Sequence, residues 1–173
     1  MNLSFRKAAP ADIDPIVALV NSAYRGESSK RGWTTEADLL GGQRTDAEEI
    51  AKLVSTPDSM ILLCYQDDDL IGSVHLERSE PGAYLGMFTV KPSLQGRGIG
   101  KRFMDEIERL VREEWGAAKM MMLVITRRDE LIAFYERRGY RRTGIFEEFP
   151  VDVRFGIPKV MNLRFELLEK WLR

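Results

Sequence analysis

One cysteine, Cys64, and one histidine, His75, occur in 173 residues. A lone cysteine excludes an internal disulfide framework, which fits a reducing compartment. It lies in the apolar run Met60-Ile-Leu-Leu-Cys-Tyr65, the setting of a buried structural thiol rather than a nucleophile. One histidine argues against a His-rich metal site, and its place in an apparent strand argues against a Ser-His-Asp arrangement. Charge of one sign is also missing: 26 Lys+Arg against 27 Asp+Glu leave −1, so no global field draws the chain to nucleic acid or a membrane. No apolar run approaches the about 20 residues that span a bilayer, and Met1 to Lys7 carries no signal-peptide core. The expectation is a cytoplasmic protein forming one domain over 1–173, with no metal and with neither nucleic acid nor membrane as partner.

What is present reads as mixed α/β without repeats. Leu3 to Lys7, Met60 to Tyr65, Leu70 to Glu77 and Ala83 to Val90 read as strands; so do Lys119 to Thr126, Tyr140 to Phe146 and Met161 to Leu167. Six successive apolar residues make Lys119 to Thr126 a central strand covered on both faces. Helical spacing marks Asp12 to Tyr24, Gly98 to Trp115 and Asp129 to Arg138. A capping box of Thr45 with Glu48 opens another helix, to about Val54. Hairpins followed by a β-α-β passage imply an α/β (α+β) fold: a mixed, largely antiparallel central sheet with helices on both faces.

The strand Tyr84 to Val90 feeds a tight turn, Gln95-Gly-Arg-Gly-Ile-Gly-Lys-Arg102, that opens an amphipathic helix. Glycines there let backbone N–H groups turn toward a ligand, and unpaired first-turn amides favour an anion. Lys101 and Arg102 oppose the helix dipole at that position, which points to a bound polyanion. The pattern is neither a Walker A loop nor a Rossmann fingerprint. By itself the turn leaves a nucleotide, another phosphate ligand or a purely structural role open.

About 35 residues on lies Phe134-Tyr-Glu-Arg-Arg-Gly-Tyr140. With Gln95-Gly-Arg-Gly-Ile-Gly100 it resembles the GNAT superfamily of acyl-CoA-dependent N-acetyltransferases, in element order over Leu3 to Leu168. One departure is Arg128, where the family often has Asn. The resemblance implies acetyl-CoA as co-substrate and direct transfer to a primary amine with both substrates bound. It also implies that backbone groups of Phe88, Thr89 and Val90 pair with the pantetheine arm. Main-chain N–H groups of Gln95, Gly96, Arg97, Gly98, Ile99, Gly100 and Lys101 would hold the pyrophosphate, with the Arg97, Lys101 and Arg102 cations beside it. Tyr135 would protonate the departing thiolate.

The strand Tyr84 to Val90 carries no acid to serve as general base, so Glu77, Glu80 and His75 are the candidates, and Glu77 is the one named. Tyr24, Trp33 and Glu36, in the long connector 24–44, are the candidates for acceptor binding. The segment 147–159 reads as a lid, a structured crossover or a homodimer contact. Mixed charge in both segments leaves the acceptor open: a small or amino-acid-like amine leads, and a protein N-terminus or lysine is the alternative. A non-catalytic acyl-CoA-binding domain also stays open.

Overall fold

The computed structural model describes residues 2–150, 154 and 156–172. In chain order the strands are β1 (Leu3–Lys7), β2 (Leu40–Gly41), β3 (Ser59–Gln66), β4 (Asp69–Ser79), β5 (Gly82–Val90), β6 (Lys119–Ile125), β7 (Arg141–Glu148), β8 (Ile157–Pro158) and β9 (Arg164–Trp171). The helices are α1 (Ile13–Tyr24), α2 (Gly26–Ser29), α3 (Ala47–Ser55), α4 (Ile99–Glu113) and α5 (Asp129–Arg137). The main sheet has the order β1-β3-β4-β5-β6-β9-β7. Its neighbours are antiparallel except β5 and β6, which run parallel through the α4 crossover.

The two faces bury separate apolar sets. On one, Phe103, Met104, Ile107 and Val111 of α4 pack fully buried against Leu62, Leu76, Leu85 and Met122 of the sheet. On the other, Ile16 and Val20 of α1 and Ile50 of α3 pack on Ile61, Leu63 and Met87. Each such large side chain contributes about 1.5–3 kcal/mol, which fixes the helices that carry the site.

The middle of the sheet is where the fold opens. Ser73 opposes Thr89 and His75 opposes Gly86, so Met87 and Phe88 together face the single residue Val74. This is a β-bulge; Met87 takes φ 49°, and a bulge bends its strand. β5 and β6 pair only over Ala83–Leu85 and Met120–Met122, and then part.

Three sequence expectations shift. The cap of α3 is Asp46, not Thr45: its carboxylate accepts from the Glu49 amide at 2.8 Å, while the Thr45 hydroxyl donates to the Glu49 carboxylate at 2.5 Å. The last strand starts later than Met161, which is 80% exposed, and runs on to Trp171 because it pairs with the whole of β6. Buried Glu166 and Glu169 lie within it, each paired with an arginine of β7. The connector 24–44 is ordered: it contains α2, and its β2 pairs with β8 of the 147–159 segment. Among the described residues no helix is long and apolar enough to cross a membrane.

Candidate active site

The loop after β5 does not use side chains to close the N-terminus of α4. Gly98 is the cap residue at φ 83°, Gly96 stands at φ 80°, and neither would meet a neighbour if given a Cβ. Their need for glycine is therefore conformational. The amide of Arg102 makes the first helical bond, to Gly98 O. Among the described residues, the N–H groups of Gly96, Arg97, Gly98, Ile99, Gly100 and Lys101 donate to no protein acceptor. Six consecutive free amides at a helix N-terminus suit a polyanion.

Gln95 differs from them. Its amide donates to Pro92 O, and its side chain bonds Val90 O at 2.9 Å and the Thr34 hydroxyl at 2.7 Å, while its Oε1 accepts from the Thr34 amide. Gln95 thereby stitches the connector to the end of β5. Lys101, Arg137 and Arg138 line the cavity beside the loop, with Trp33 and Phe134 on its wall. Arg97 and Arg102 are exposed and line neither cavity described here. Arg137 and Arg138 were not singled out from sequence; their position in the turn that ends α5 was the available signal.

Antiparallel geometry fixes which main-chain groups face the gap. The Lys91 amide donates to Ile71 O directly opposite, so Thr89, two residues back, also bonds toward β4. Thr89 thus turns its backbone away from the gap, whereas Val90 turns toward it. The carbonyls of Phe88 and Val90 accept from the Tyr24 hydroxyl (2.5 Å) and from Gln95 Nε2.

A second cavity, of about 260 Å³, meets the first at Phe88 and Leu131. Tyr24, Glu36 and Tyr135 line it; Trp33 does not, lying on the loop side instead. Tyr135 is 3% exposed and packs edge-on against Phe134 and Tyr140. Its hydroxyl makes no hydrogen bond among the described residues, and burial raises its pKa well above the usual phenol value. Tyr135 is accordingly a protonated donor facing space.

The floor of this second cavity is ionic. Glu36 Oε1 accepts from Arg25 Nε and Nη2 at 3.1 and 3.0 Å, and its Oε2 accepts from Arg128 Nη1 at 3.1 Å. Arg128 also donates to Thr34 O and lies over the Tyr24 ring. Arg25 and Arg44 are charged residues of the connector read from sequence as the acceptor-recognition segment, whereas Arg128 stood out there only as a departure from the family pattern.

Of the base candidates, Glu77 and Glu80 are exposed and line neither cavity. His75 is the nearer group: its Nδ1 lies 3.9 Å from where a Cβ of Gly86, a cavity residue, would stand. Its Nε2 is 2.9 Å from Ser59 Oγ, whose proton goes to Leu53 O. That network assigns the proton to Nε2 and the lone pair to Nδ1. Burial lowers the His75 pKa, Glu77 opposes the shift and Arg44 adds to it. Cys64 is fully buried outside both cavities, its thiol pushed up to about 11 by burial.

Comparison with known proteins agrees with this geometry. The model of the Acetyltransferase (GNAT) family matches residues 20–140. An N-acetyltransferase from Staphylococcus aureus Mu50 superposes with TM-score 0.74 at 14% identity, covering 99% of each chain. The ribosomal-protein-S18-alanine N-acetyltransferase of Escherichia coli gives 0.72 at 12%, covering 99% of this chain and 94% of that one. A chimera of the Vibrio cholerae spermidine N-acetyltransferase with hSSAT gives 0.72 at 17%, covering 99% and 96%. At such identities these structures share the fold, while the family match spans most of the chain. The mixed seven-stranded sheet, the free amides opening α4 and the family match together make this chain a member of the GNAT family, an acetyl-CoA-dependent N-acetyltransferase.

Proposed function

We propose that this chain, as one cytoplasmic domain, moves the acetyl group of acetyl-CoA to the primary amine of a small molecule, directly and with both substrates bound. One observation carries the reading: two cavities, one edged by free loop amides and the other holding Tyr135, meet at Phe88 and Leu131. At about 260 Å³ the cavity lies just below the roughly 300–1,000 Å³ usual for ligand sites, which favours a small acceptor.

Acetyl-CoA supplies a thioester with a carbonyl to polarise and a thiolate to release. The residues present fit it. The amides of Gly96 to Lys101, with Lys101, Arg137 and Arg138, hold phosphate charge. The Val90 amide faces the gap for the pantetheine arm, with Phe88 beside it. Tyr135, protonated and unbonded, gives its proton to the leaving sulfur. His75 Nδ1 receives the amine proton, directly or through water, and Glu77 acts through His75 by charge. With Cys64 buried outside both cavities, no acyl-enzyme is formed on it.

Thiol release from acetyl-CoA, followed across small amines, peptide N-termini and lysine peptides, tests this. Turnover on small amines is expected. Release with peptides alone would replace the small-molecule reading by the protein-acceptor one. Binding of acetyl-CoA without release on any amine would leave a non-catalytic acyl-CoA-binding domain.

A further inference from the structure

The acceptor-side cavity carries an unbalanced charge. Its charged lining, among the described residues, is Arg25, Glu36, Arg44 and Arg128: three guanidiniums against one carboxylate. Both Glu36 oxygens are taken, by Arg25 and Arg128. Those two arginines spend further donors on Gln43 O and Thr34 O. Arg44 has no carboxylate partner and no side-chain hydrogen bond among the described residues; its guanidinium lies over the Tyr24 ring, 5.8 Å from the centroid. The main chain beneath it is fixed, because Asn21 Oδ1 accepts from the amides of Arg44 and Thr45 at 2.7 and 3.0 Å.

A half-buried, backbone-anchored guanidinium beside two buried ones is electrostatically incomplete without an anion. A planar fork of N–H donors matches a carboxylate or phosphonate. The Arg44 charge also disfavours protonation of His75, the proton acceptor of the proposed reaction. Positive surroundings disfavour a second ammonium, which repels polyamines and helps the reacting amine to be neutral.

Building on the transferase reading, we infer that the acceptor is an amine bearing an anionic group within a few bonds, as in an α-amino acid, and that Arg44 receives that group.

The test uses the full chain in two assays. In the first, CoA release is measured for the standard α-amino acids, their carboxamides, aminoalkylphosphonates and linear diamines. Anionic amines should exceed their neutral counterparts by roughly 10- to 100-fold in kcat/KM, the range of a charge-assisted contact. Arg44→Gln should raise KM for the anionic acceptors by a similar factor, and Arg44→Lys should restore part of it. The split between carboxylates and phosphonates identifies which anion fits. Equal or better turnover of carboxamides or diamines overturns the inference and leaves the transferase reading standing. In the second assay the same compounds are titrated calorimetrically into the chain with CoA present. Binding of anionic amines that weakens in Arg44→Gln supports the inference even if no compound is acetylated, an outcome that would instead sink the transferase reading. Binding indifferent to the anion or to Arg44 overturns the inference.

Discussion

The two cavities that meet at Phe88 are made by opposite means. On the cofactor side, one contiguous segment, Gly96 to Lys101, offers its own backbone N–H groups, to which the Lys101, Arg137 and Arg138 cations add charge. On the acceptor side, Tyr24, Glu36, Arg44, Arg128, Tyr135 and Phe149 converge from separate elements, and the charged and hydroxyl groups among them are side chains. Backbone recognition depends on conformation and so tolerates change in most side chains. Side-chain recognition depends on identity and can be retuned residue by residue. A shared donor and a variable acceptor are what that division allows.

The largest effect that would break the comparison is expected at the junction. Tyr135→Phe should lower kcat by about 100-fold or more, the usual contribution of a positioned acid, while acetyl-CoA affinity stays within a few-fold. Unchanged turnover would remove Tyr135 from the chemistry.

Next is Glu36→Gln, which leaves Arg25 and Arg128 as buried cations without a carboxylate. Breaking a buried ion network by one partner costs about 3 kcal/mol or more, so Tm should fall by about 6–12 °C. A Tm within two or three degrees of the parent, by calorimetry, would mean that the acceptor side does not depend on side-chain identity as argued.

Gly98→Ala probes the opposite construction. Forcing a Cβ into the left-handed region costs about 1–2 kcal/mol, and there is open space around it, so the penalty is conformational. Equilibrium dialysis should show acetyl-CoA binding weakened by about tenfold, with acceptor KM little changed; intact binding would mean the loop amides are not the grip.

The smallest effect concerns pH. His75 is held neutral, its pKa below the ordinary 6.5, so kcat/KM should fall only as pH drops below that value and His75 takes a proton. Glu77 opposes that lowering; Glu77→Gln should therefore move the acidic limb to still lower pH. An unmoved limb would separate Glu77 from the mechanism altogether.

The same contrast explains what could be read from sequence. The glycine turn, its helix and the sheet class were legible because periodicity and glycine placement act locally. Tyr135 came with a contiguous motif. Arg25 and Arg44 were legible as charges of the connector, but their meeting with Arg128 was not, because the three share no pattern until the connector and the turn before α5 are packed together. Thr45 and Asp46 are adjacent cap-competent residues, and Asp46 is the one whose carboxylate reaches the N3 amide. Trp33 is conspicuous in sequence, but its place beside Phe134 is decided by Gln95, 62 residues later, holding the neighbouring Thr34.

The parting of β5 from β6 has a consequence for how the protein survives without ligand. A gap in the middle of a sheet exposes the kind of hydrogen-bonding row that recruits foreign strands and seeds aggregation. Here the Phe88 and Val90 carbonyls are already occupied by Tyr24 and Gln95. An intruding strand would have to share both carbonyls with those donors. With those carbonyls already bonded from within, the interior edge is a poorer template for a foreign strand than a bare one.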